Sequence, residues 1–284
     1  MFGLGDEFIE GLTFLSLAVV YFVIAKYCKE VLTPYDDNDE LHTKKNIAVA
    51  ISMSGYLIAV VVVLLGAMVG PSTTLIDDIY LFTKYALLGI VLLNLSRYIN
   101  DKLILKKFCN NKEIAEDQNA GAGFIEFGSY LASGFVVAGS ISGQGGGLDT
   151  AIAFYVLSQV SLIVFTMLYG LFSPFDFHKE IEEDNVAAGV AFGGTLVALG
   201  VILLKGSIGN FVSWQYNLTN FALSVLTGFL FLPAVRFLLD KIIVRGIDLN
   251  REISEQRNTA VAIIEVTVAL SFATLLYFTI DFDI

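Results

Sequence analysis

Two carboxylates sit where a carboxylate is costly. Glu126 and Glu265 lie inside long apolar runs, each seven residues after an asparagine, Asn119 and Asn258. Seven residues of helix make about two turns, so each glutamate shares its asparagine's face and lies roughly 10 Å deeper. A carboxylate within a membrane span costs roughly a few kcal/mol and usually faces protein or a water-filled cavity. Such a pair could coordinate a small cation or relay protons. It could equally be structural, as an ion pair or as an acid kept protonated by desolvation. Arg97 and Arg236, near the ends of the preceding apolar runs, are the candidate ion-pair partners.

The asparagines belong to a pattern that occurs four times: Glu40-Leu41…Asn46, Glu113-Ile114…Asn119, Glu180-Ile181…Asn185 and Glu252-Ile253…Asn258. Each asparagine opens an apolar segment with small residues two and four places on: Ala48 and Ala50, Gly121 and Gly123, Ala187 and Gly189, Ala260 and Ala262. An asparagine at a helix start can accept a hydrogen bond from the N2 or N3 amide, and small residues behind it let helices approach closely. The same residues, gathered by symmetry, could instead line a polar vestibule at the mouth of an ion pathway. The sequence leaves both readings open.

The spacing exposes a duplication. Asn46 and Asn185, Asn119 and Asn258, Glu126 and Glu265, Arg97 and Arg236, and Asp101 and Asp240 are all 139 residues apart. The halves are residues 1–145 and 146–284, joined at the Gly-rich turn Gly143 to Gly147. Each half is itself a weaker two-part repeat.

The elements that carry these residues must be membrane helices. Of 284 residues, 56% are hydrophobic and only 16% charged, against about a quarter charged in soluble domains. Apolar runs of about 20 residues suit the hydrocarbon core, where every backbone polar group must be satisfied within the segment. Eight spans are expected: Phe8–Val31, Asn46–Val69, Ile79–Tyr98, Asn119–Ile141, Ala151–Phe172, Asn185–Ile208, Leu218–Leu239 and Asn258–Ile280. The predicted fold is an all-α polytopic membrane protein of two parallel four-helix repeats. Four spans per half make the halves enter the membrane in the same direction, with all four motifs on one side.

Of the 17 Lys and Arg, all but Lys84 and Lys205 fall in the connections that bear the motifs. The positive-inside rule then places the motifs in the cytoplasm and both termini outside. Cys28 and Cys109 fall on the cytoplasmic side in this map, so no disulfide is expected. His42 and His178 have no metal-ligand spacing around them. The turn Gly143 to Gly147 lacks the lysine and hydroxyl of a phosphate loop, and no nucleophile–base arrangement stands out. Neither an enzyme, a cofactor nor a metal is expected.

The phrases Leu32-Thr33-Pro34-Tyr35-Asp36 before Asn46, and Phe172-Ser173-Pro174-Phe175-Asp176 before Asn185-Val186-Ala187-Ala188-Gly189, resemble the YjfL family. That is a family of small bacterial inner-membrane proteins classed as a domain of unknown function. The first copy departs from the pattern, with Ile47-Ala48-Val49-Ala50 after Asn46 and the added pair Lys44-Lys45. The resemblance implies two tandem copies in the bacterial inner membrane, no assigned chemistry, and a link to envelope stress through a peripheral membrane protein. Expected partners are the lipid bilayer, further copies of the chain and a peripheral protein at the cytoplasmic face, with no nucleic acid. Two functions follow as expectations. One is a small-cation or proton channel or transporter using Glu126 and Glu265, with Asn46, Asn119, Asn185 and Asn258 along the pathway. The other is a non-transporting scaffold that presents exposed Glu40, Glu113, Glu180 and Glu252 to a partner.

Overall fold

The structure, a computed structural model, describes residues 4–104, 111–172, 176–243, 246 and 248–279. Cys109, the Ser173-Pro174-Phe175 phrase and the basic residues Lys106, Lys107 and Arg245 lie outside the described residues. Eight long helices dominate: α1 (Leu4–Leu32), α2 (Ile47–Met68), α3 (Leu75–Leu103), α4 (Ala120–Ile141), α5 (Leu148–Phe172), α6 (Val186–Ser207), α7 (Trp214–Leu238) and α8 (Thr259–Thr279). All eight are long and apolar enough to cross a membrane. Among the described residues there is no strand.

Polar side chains fix where these helices begin. Asn46, Asn119 and Asn185 cap α2, α4 and α6, each accepting from the amide three residues on. Thr74 and Ser213 cap α3 and α7 in the same way. Such caps satisfy amides that the first helical turn would otherwise leave without partners.

The even-numbered helices, which carry the motifs, pack side by side in the order α2, α4, α6, α8. The odd-numbered helices form a second layer in the grooves of the first: α1 on α2, α3 across α2 and α4, α5 across α4 and α6, and α7 across α6 and α8. The eight helices are therefore two stacked rows rather than a ring.

Between lipid-embedded helices there is no hydrophobic drive to associate, so close van der Waals contact has to hold the row together. Glycine permits it here. A Cβ on Gly128 of α4 would stand 2.1 Å from the Gly193 carbonyl oxygen of α6, and one on Gly189 would stand 2.3 Å from the Gly121 oxygen. On the other side of α4, a Cβ on Gly55 of α2 would meet the Phe127 Cα at 2.5 Å. The Gly-rich turn joins the halves at the far end, where Gly143 N–H donates to the Val69 carbonyl and Phe211 N–H to the Gln144 carbonyl, both at 2.7 Å.

Candidate functional site

Each motif folds into the same small device. A short helical segment precedes each even-numbered helix: Asp39–Thr43, Lys112–Glu116, Phe177–Glu182 and Leu249–Ser254. The chain then turns through one residue with positive φ, namely Lys45, Gln118, Asp184 and Arg257, and arrives at the asparagine. The asparagine N–H donates back to the motif glutamate's carbonyl at 2.8–2.9 Å in all four copies. Its side-chain amide donates to that glutamate's carboxylate, at 2.9 Å for Asn46 and Glu40, 3.0 Å for Asn119 and Glu113, 2.8 Å for Asn185 and Glu180, and 2.8 Å for Asn258 and Glu252.

In three copies the same amide also reaches the following repeat. Asn46 donates to the Ile114 carbonyl at 2.8 Å, Asn119 to Ile181 at 2.5 Å and Asn185 to Ile253 at 2.8 Å. We call this arrangement the clasp. It puts all four motifs at one end of the molecule, with neighbouring helices starting side by side.

The clasp explains why the residue must be asparagine. Its Oδ1 is committed to the helix cap and its Nδ2 to a carboxylate and a carbonyl. Aspartate has no donor for either of the last two, and alanine has neither function. The asparagine oxygens are therefore spent on backbone amides, and the four residues stand along a row rather than around a vestibule. The motif glutamates, expected to be exposed, are instead drawn inward by the amides. Glu40 is buried, while Glu113, Glu180 and Glu252 are half-buried. Burial works to raise the Glu40 pKa, but hydrogen bonds from Lys44 and Asn46 outweigh it and hold the carboxyl below its usual value.

The two membrane-embedded glutamates occupy equivalent positions in unlike surroundings. Glu126 on α4 is 4% exposed and accepts a hydrogen bond from Ser52 of α2. Above it, Tyr56 and Tyr130 pack edge to face with centroids 5.3 Å apart. The Tyr56 hydroxyl donates to the Ala25 carbonyl at 2.9 Å, and Asn94 donates to the Tyr56 oxygen at 3.1 Å. A buried ion pair, Lys29 with Asp37 at 3.2 Å, closes the motif end. Arg97 is buried beside this cluster, but its ion pair is with Asp101 at 4.0 Å, and its Nη1 has no hydrogen-bond partner. The expected direct pairing of Arg97 with Glu126 is thus replaced by Ser52.

Glu265 on α8 does pair with its arginine, through Arg236 Nε at 3.3 Å. Arg236 is itself held by the Tyr169 hydroxyl at 3.1 Å and Asn250 Oδ1 at 3.0 Å. The second carboxylate oxygen, Oε2, is buried without a hydrogen-bond partner. Next to the pair lies a cavity of about 380 Å³, with walls from α5, α6, α7, α8 and the segment before α8.

The duplication explains the cavity. The positions 139 residues after Tyr56, Asn94 and Tyr130 are Thr195, Pro233 and Ala269. All three line the cavity. Two tyrosines and an asparagine that fill the first half have become two small residues and a proline in the second. Ser52 has likewise become Ala191, and Lys29 has become Leu168. Ser52, Lys29, Asp37, Tyr169 and Asn250 were not singled out from the sequence, although a position-by-position comparison of the halves exposes most of these changes.

Eight span-length helices in tandem repeats, joined by clasps at one end, define a multi-pass helical membrane protein. Its family follows from sequence. The model of the family described as Domain of Unknown Function (DUF350) matches residues 3–141 and again residues 145–280, and the chain belongs to that family as a tandem duplicate. Neither a curated protein nor a solved structure matches it.

Proposed function

We propose that this is a protein of the bacterial inner membrane, with its motif end in the cytoplasm and both termini periplasmic, that moves protons through the Glu265 site. The observation that carries the reading is the Glu265 Oε2 atom, buried, without a partner and beside a cavity. An ionisable group within a span points to function by default, and the duplicated carboxylate gives a contrast inside one molecule. A metal cation at this carboxylate would face the Arg236 guanidinium, 3.3 Å from the other oxygen, at the cost of like-charge repulsion. A proton adds to the free oxygen, converts carboxylate to carboxylic acid and leaves Arg236 anchored by Tyr169 and Asn250. The basic residues at the motif end support the orientation.

The test is proton flux into liposomes containing the purified protein, read by an internal pH-sensitive dye. Wild type should pass protons above protein-free liposomes, and Glu265→Gln should reduce the rate at least tenfold. Absence of flux in the wild type, under gradients of either sign and at several pH values, would remove the transport reading.

A second reading is a non-transporting scaffold that recruits a peripheral envelope-stress protein to the motif face. The charges exposed at that end favour it, although the clasp bonds the motif glutamates within the chain and leaves other side chains to make the contact. Side chains left exposed at that end, such as Lys44, Lys45, Glu116, Asp117 and Glu182, would then meet the partner.

A further inference from the structure

The row has a donor at one end and an acceptor at the other. Asn258 donates to Glu252 as its counterparts do to their glutamates, but among the described residues no following repeat offers it a carbonyl. At the opposite end, the Leu41 carbonyl stands where Ile114, Ile181 and Ile253 receive an asparagine, and among the described residues no asparagine reaches it. Burial follows the same asymmetry. Asn46, Asn119 and Asn185 are buried, as are Ile114, Ile181 and Ile253, whereas Asn258 and Leu41 are only half-buried.

The helix faces match the unfilled clasp. In the α4–α6 contact, Gly121, Gly128 and Ala132 of α4 meet Gly189, Gly193 and Gly200 of α6. Shifted by 139 residues, the first set becomes Ala260, Thr267 and Ser271 of α8, all exposed. Shifted back by the same amount, the second becomes Ala50, Ser54 and Val61 of α2, half-buried at Ala50 and exposed at the other two. Five of these six positions keep small residues, each larger than its counterpart, so the two end faces would meet with their helices farther apart than α4 and α6. The groove between them would be filled as the inner grooves are, by the odd-numbered helix of the incoming repeat. That helix is α1, only 11% of whose most apolar window is buried.

We propose that a second copy of this chain continues the row, with α8 of one protomer against α2 of the next and Asn258 donating to the partner's Leu41 carbonyl. Such a contact is heterologous: it joins two different surfaces, so it propagates as an open row or closes into a ring. The contact would continue the three interfaces already made inside the chain and is independent of any proton movement.

The test uses two single-cysteine proteins, Ala50→Cys and Ala260→Cys, in a background with Cys28 and Cys109 changed to serine. They are reconstituted together in liposomes and oxidised. The proposal expects a disulfide-linked dimer in the mixture and little in either protein alone. Ser54→Trp, added to the Ala50→Cys protein at an exposed position of the same face, should abolish the cross-link to Ala260→Cys without lowering the melting temperature of the monomer. Asn258→Leu should weaken the cross-link several-fold. Cross-linking of Ala260→Cys with itself would show a symmetric contact and overturn the proposal. A protein that stays monomeric in nanodiscs by native mass spectrometry, with no mixed cross-link, would show that lipid alone covers both faces and would overturn it equally.

Discussion

The two halves of this molecule place a glutamate at the same point of the same helix and treat it in opposite ways. Around Glu126 the space is filled by Tyr56, Tyr130 and Asn94, and the acid accepts from Ser52. Around Glu265 those positions hold Thr195, Ala269 and Pro233, an arginine takes one oxygen, and the other faces a cavity of about 380 Å³. Duplication gave the chain two copies of a buried acid, and one is closely packed while the other borders a cavity. The same position in two repeats thus has different surroundings, set by the volume of its neighbours.

The largest expected effect breaks the packed side. Tyr130→Ala removes a ring that is 3% exposed and should cost about 3 kcal/mol of stability, in the range for deleting a buried aromatic side chain. Chemical denaturation in a mild detergent would measure it. The reciprocal change, Ala269→Tyr, enters an existing cavity and should cost less than about 1.5 kcal/mol, as volume-tolerated core changes do. It should nonetheless suppress any proton flux, since it rebuilds the first-half packing beside Glu265.

The clasp predicts a graded second series. Asn185→Ala removes a helix cap, worth about 1 kcal/mol, and leaves the Ile253 carbonyl and the Glu180 carboxylate without their donor, so a loss of about 2–3 kcal/mol is expected. In the monomer, Asn258→Ala loses the cap and one carboxylate bond but no bond to a following repeat, and should cost roughly half as much. Equal losses at the two sites would mean that the bond between repeats contributes nothing.

The smallest effect is with pH. Glu40 has a folded pKa below its unfolded value, so its contribution is fully present above the unfolded pKa and is lost as pH falls through the folded one. Glu40→Gln should therefore lower stability slightly at neutral pH, where that contribution is lost, and leave the acid end of the profile almost unchanged, so that the acid slope flattens. A profile that keeps its full acid slope in the variant would place that slope on other groups.

Much of this architecture was legible because a membrane leaves few choices. Apolar length located all eight helices, and the asparagines marked the starts of all four even-numbered helices to within one residue because caps are local chemistry. The repeat offset found Glu126, Glu265 and both arginines. The short segments before each even-numbered helix were not legible. They are five or six residues long, too short for periodicity, and three of the four are held by the clasp from the neighbouring repeat. The left-handed residues Lys45, Gln118, Asp184 and Arg257 carry no glycine signal, and each turn is closed by bonds from the following asparagine back to the motif glutamate. That Arg236 pairs with its glutamate while Arg97 turns to Asp101 depends on Ser52 and the tyrosines, which one residue type at a time does not reveal.

The contrast between the two acids is tested most directly by chemical labelling. A small apolar carbodiimide partitions into the membrane and attaches to a protonated carboxyl that it can reach. Peptide mass spectrometry after brief treatment of the protein in liposomes should find the adduct on Glu265 and not on Glu126, with the label on Glu265 suppressed by Ala269→Tyr and appearing on Glu126 in Tyr130→Ala. Equal labelling of both glutamates in the wild type, or labelling of Glu126 alone, would contradict the account.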